Sequence, residues 1–85
     1  MNEHSTRITL ARRVNGLLDE QGLSQNAAAQ RLGIPQSKVS AIRNYKLHGI
    51  SLERLLQMLI ALNQRVEIVV TPGTKSTGRA IAVVM

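Results

Sequence analysis

From residue 7 to residue 21 the apolar positions Leu10, Val14, Leu17 and Leu18, with Ile8 and Ala11 alongside, recur at helical spacing. Arg12, Arg13, Asn15, Asp19 and Glu20 fall mostly elsewhere, so the stretch predicts an amphipathic first helix with Arg12 and Arg13 on a solvated face. Residues 1–5 are polar and read as frayed, with Ser5 or Thr6 as a cap, and Gly22 closes the helix as a C′ glycine. Ser24 suits the N-cap of a second helix over residues 25–32, rich in the strong helix former Ala and ended by Gly33. Ile34 then points inward and Pro35 starts a third helix where its missing N–H costs nothing. Over residues 36–44 the apolar stripe narrows to Val39 and Ile42 with Ala41, leaving Gln36, Ser37, Lys38, Ser40 and Arg43 outside.

Residues 44–50 read as a loop, and Ser51 caps a fourth helix over residues 52–62. Its apolar positions cover an arc of roughly 200°, wider than one core needs, which predicts two apolar neighbours: the core and a second subunit. After Asn63 the period changes to two, with Val66, Ile68 and Val70 on one face of a strand over residues 65–71 that Pro72 and Gly73 end. Residues 73–79 form a turn or linker, and residues 80–85, AIAVVM, are again strand-like. A lone strand or hairpin is unstable in water, so this tail is expected to pair across a dimer or cover the helices. The expected fold is mainly α, a bundle of four to five helices with a C-terminal β-strand or hairpin. Residues 1–63 make the bundle and residues 64–85 a dimerisation segment of the same domain, with Leu59, Leu62, Val66, Ile68 and Val70 at the interface.

Composition sharpens this picture. A chain of 85 residues buries only ~60–65% of its unfolded surface, so self-association would help it. The net charge of +6 favours a polyanionic partner. It is also local, for no Asp or Glu occurs between Glu20 and Glu53, a span that carries Arg31, Lys38, Arg43 and Lys46. No apolar run approaches the ~20 residues of a membrane span, and the absence of Cys fits a reducing cytoplasm. Tyr45 is the sole aromatic, which argues against binders that stack single-stranded bases on rings.

Little here supports catalysis. His4 and His48 have no Asp, Glu or Cys at ligand spacing, and Ser24, Ser37 and Ser40 have no matching His and carboxylate. The run GTKSTGRA misses a phosphate-binding loop, with Arg79 and Ala80 where Lys and Ser/Thr are required. Neither an enzyme nor a metal or cofactor site is expected.

The informative spacing lies within residues 24–44. Gln25, Ala29 four residues on, Gly33 four further, Val39 six further and Ile42 three after that, with Ala28 and Leu32 inside, reproduce a DNA-binding helix-turn-helix. Ala29 permits a close crossing, Gly33 the turn, and Val39 and Ile42 anchor the second helix. Its outer residues, hydrogen-bonding and basic with no carboxylate, suit base edges and phosphates.

At these residues the chain resembles the lambda-repressor-like (Cro/C1-type, XRE) helix-turn-helix family. The continuation SLERLLQMLIALNQRVEIVV looks like its small HigA-type antitoxin branch. The resemblance covers roughly residues 10–70. It implies that the helix beginning at Gln36 enters the major groove, with Gln36, Ser37, Lys38 and Ala41 base-facing and Gln25, Asn44 and Lys46 on phosphates. Ser40 and Arg43, on the same outer face, are added to the base and phosphate sets respectively. Pro35 stands where the family often has Ser or Thr, and Tyr45 where Gly is common. The expected function is therefore a dimeric cytoplasmic repressor of a palindromic double-stranded operator, an antitoxin that also binds a RelE-like toxin. The alternatives are a stand-alone phage-type or metabolic repressor and a protein-only adaptor.

Overall fold

The computed structural model describes residues 3–72, which form four helices: α1 (Glu3–Glu20), α2 (Gln25–Leu32), α3 (Gln36–Arg43) and α4 (Leu52–Ala61). α1 packs along α4, and α2 crosses α3. One core joins them, built from Leu10, Val14, Leu17 and Leu18 of α1, Ala28 of α2, Val39 and Ile42 of α3, and Leu55, Met58 and Leu59 of α4. Ile34, Leu47, Ile50 and Leu62 enter it from the connections.

The helix α1 begins earlier than the apolar stripe predicts, because residues that read as a cap are helical and one of them is internal: Thr6 is buried. Glu3 lies in the first turn, where the helix dipole favours a carboxylate. Ser24 and Ser51 cap α2 and α4, their hydroxyls accepting from the amides of Ala27 and Arg54 at 3.1 Å. Pro35 sits one residue outside the start of α3, as its N-cap, and supplies no side-chain bond.

The four helices end in one way. A left-handed residue follows the last turn of each: Gly22 (φ 63°), Gly33 (φ 67°), Tyr45 (φ 57°) and Asn63 (φ 68°). The next residue then donates back across the turn, Leu23 to Leu18 O at 2.9 Å, Ile34 to Ala29 O at 3.1 Å, Lys46 to Ala41 O at 2.8 Å and Gln64 to Leu59 O at 3.0 Å. These are Schellman closures, which satisfy carbonyls that the helix leaves open. Gly takes the left-handed conformation freely and Asn with little penalty, whereas for other residues it costs roughly 1–2 kcal/mol.

Two features of the C-terminal half differ from expectation. Leu59 and Leu62 are 6% and 0% exposed, so they fill this chain's own core and offer nothing to a second subunit. The wide apolar arc of α4 wraps that core, with Leu52 and Leu56 half-buried, and the residue it leaves outside is Ile60, 58% exposed. Residues 64–72 form no strand among the described residues. A strand exists only as part of a ladder, and nothing in the described chain lies alongside to complete one. Val66 packs against the core, while Ile68, Val69 and Val70 are 75%, 79% and 89% exposed. The strand expected over residues 80–85 and the turn over residues 73–79 lie outside the described residues.

Within α1, Gly16 has ordinary helical surroundings and open space where a Cβ would stand. A helical glycine costs ~0.5–1 kcal/mol relative to alanine. Gly16→Ala is therefore expected to raise the melting temperature by several degrees, about 4–8 °C per kcal/mol. A lower melting temperature in calorimetry would mean that this face is not open.

Candidate nucleic-acid interface

α2 and α3 meet through small residues. Ala28 is fully buried, and Ala29 and Leu32 pack beside it. Gly33, left-handed, turns the chain so that α3 crosses α2 and sets Val39 and Ile42, each 1% exposed, into the core. With those two inside, Gln36, Ser37 and Lys38 stand in solvent on the first turn of α3. Ser40 and Ala41 follow on the same helix but are half-buried, and Ala41 packs on the edge of the core. Gln25, at the start of α2, and Asn44 and Lys46, just past α3, are exposed. Asn44 folds its side chain back, donating to Ser40 O at 2.8 Å.

Arg43 is placed differently from the other basic residues. Its Nη1 donates to the carbonyl of Asn15 at 3.1 Å and its Nη2 to Asp19 Oδ1 at 2.7 Å, so it braces the last turn of α3 against α1. Asn15 makes the reciprocal bond, its Nδ2 donating to Ile42 O at 3.0 Å while the side chain is almost fully buried. From the other end of α1, Arg7 Nη1 donates to Ile50 O at 3.2 Å and reaches Leu47 O at 3.5 Å, holding the loop between α3 and α4.

The bracing roles of Arg43, Asn15 and Arg7 do not follow from spacing or charge, which place Arg43 among the phosphate contacts. A signal for them exists: Arg7 and Asn15 lie on the inner stripe of α1 with Ala11, Val14 and Leu18. A polar residue on an inner stripe must find a partner inside. On the outer side Arg12 is exposed, while Arg13 is half-buried and 3.9 Å from Glu20.

The exposed start of α3 carries no carboxylate, and Asp19 of α1 is taken up by Arg43. The arrangement leaves a small, positively charged, hydrogen-bonding surface of a kind that matches a groove edge and its phosphates. Among the described residues no group of three His, Cys, Asp or Glu gathers to hold a metal, and no helix is long and apolar enough to cross a membrane.

Residues 2–71 match a family model described as a helix-turn-helix domain. A solved structure named "Putative XRE Family Transcriptional Regulator" superposes with a TM-score of 0.88, at 52% identity, over 99% of this chain and 96% of its own. The chain belongs to the XRE family of helix-turn-helix regulators. No curated protein matches it. XRE regulators are DNA-binding and non-enzymatic, which accords with an exposed α3 and with a four-helix body built to hold it. Asn15, Arg43 and Arg7 fix the end of α3 and the loop that leaves it.

Proposed function

We propose that this XRE regulator is a sequence-specific repressor that binds a palindromic double-stranded operator as a homodimer. The observation that carries the reading is the first turn of α3, where Gln36, Ser37 and Lys38 stand exposed and free of carboxylates on a helix locked from behind by Val39 and Ile42. Gln36 can pair bidentately with adenine and Lys38 can reach guanine. Ser40 and Ala41 lie deeper in the same face, while Gln25, Asn44 and Lys46 flank it where phosphates would run. Arg43 has its guanidinium committed to α1, so on this reading its contribution to DNA binding is to hold α3.

The dimer is supported by the exposed apolar residues Ile60, Ile68, Val69 and Val70 in a chain too small to bury a large core. Pairing of residues 66–71 with their symmetry mates would give the ladder a partner and set the two α3 helices about 34 Å apart, one turn of DNA. The finer reading is a cytoplasmic antitoxin that represses its own operon and binds a RelE-like toxin. It rests on the likeness of residues 51–70 to the HigA-type branch, and a toxin-like reading frame beside the gene would support it.

Titration onto duplex from upstream of the gene at several salt concentrations tests the DNA reading. Gln36→Ala is expected to cost ~1–3 kcal/mol on the specific site and to relax sequence preference there, whereas Lys46→Ala should weaken all sequences alike and reduce the salt slope by about 1. Binding without salt dependence would refute the interface.

A further inference from the structure

The four helix ends provide an internal comparison. After α1 and α2 the left-handed residue is Gly22 and Gly33 respectively, and after α4 it is Asn63. These are the residue types that adopt a positive φ most readily. Only after α3 does a bulky residue, Tyr45, take that conformation, at φ 57°. It is also the one aromatic residue in the chain. Packing does not account for it: the residue is 44% exposed, and its hydroxyl makes no hydrogen bond among the described residues. Its neighbours Asn44 and Lys46 are both exposed, and no acidic residue lies between Glu20 and Glu53. Strained backbone positions of this kind cluster at functional sites.

We propose that Tyr45 is a DNA-positioning residue whose phenol donates a hydrogen bond to a backbone phosphate beside the groove that α3 enters. Tyr45 lies between the exposed Asn44 and Lys46, just past the last turn of α3, and Lys46 supplies a charge next to it for the same stretch of phosphate backbone. A tyrosine hydroxyl is one of the ordinary donors to phosphate oxygens, and such contacts fix orientation without reading sequence. The proposal rests on the DNA reading above, and it predicts opposite signs for folding and binding at one position.

The test compares Tyr45→Phe and Tyr45→Gly with the unmodified protein and with Lys46→Ala. Binding is measured on a random-sequence 30-base-pair duplex at several salt concentrations, and stability by thermal melting. Tyr45→Phe should melt as the unmodified protein does and bind about 3–10-fold more weakly, with the salt slope unchanged because a neutral hydroxyl displaces no counterion. Tyr45→Gly should bind at least as weakly as Tyr45→Phe yet melt several degrees higher. If Tyr45→Phe binds fully while Lys46→Ala is weakened, the phosphate contact is wrong and the DNA reading stands. A lower melting temperature for Tyr45→Gly would make the ring a structural element and likewise overturn the proposal. Should the unmodified protein fail to bind duplex in a salt-dependent way, both readings fall together.

Discussion

Leu55→Ala is expected to lower the unfolding free energy by about 2–5 kcal/mol, the range for truncating a large aliphatic side chain in a packed interior. Leu55 is fully buried on α4, in a core with residues contributed by all four helices. A domain of this size has a total stability of only roughly 4–13 kcal/mol at ~0.05–0.15 kcal/mol per residue, so the change removes a large part of it. In urea the transition midpoint should fall with its slope preserved, since the surface exposed on unfolding is nearly the same. A shift under 1 kcal/mol would mean that the site collapses around the smaller residue, and the core would then be looser than its burial indicates.

The second large effect concerns assembly. Ile68 is 75% exposed, and its amide takes part in no backbone hydrogen bond among the described residues, so a proline there removes nothing that the described helices use. In a ladder between two copies the same change deletes a donor and blocks pairing. On the dimeric reading Ile68→Pro should sediment as a monomer with the helical content of the parent. Its affinity for a two-half-site operator should fall by about 10²–10⁴-fold, because the second half-site no longer profits from the first. A variant that remains dimeric would move the interface away from residues 66–71, with Ile60 as the remaining exposed apolar residue of α4.

The helices and the exposed side of α3 were legible in the sequence for concrete reasons. Ser24, Gly33 and Ser51 act through their own backbone neighbours, so local chemistry marks α2, the turn and the start of α4. Val39 and Ile42 are the only large apolar residues of α3, which decides its inner side and leaves Gln36, Ser37 and Lys38 outside.

The rest depends on partners distant in the chain. Asn15 looks like a surface residue until Ile42 O is seen 3.0 Å from its amide, and Arg43 looks like a free cation until Asp19 is seen at 2.7 Å. Leu59 and Leu62 belong to the core because α4 wraps it, a matter of how far the neighbouring helices reach around and not of periodicity. The segment over residues 65–71 has strand composition, but composition cannot supply the second edge that a ladder needs.

The braces on α3 are all at one end. Asn15 and Arg43 tie its final turn to α1, and the closure at Tyr45 and Lys46 adds two backbone bonds there, whereas Pro35 gives the opposite end no side-chain cap. The two ends of α3 are thus held by different means: the last turn by directional side-chain bonds to α1, the first by the packing of Ile34 and Val39 and the left-handed turn at Gly33. Hydrogen bonds fix a direction and packing fixes a distance, so the pair sets both the rotation of α3 about its axis and its height above α2.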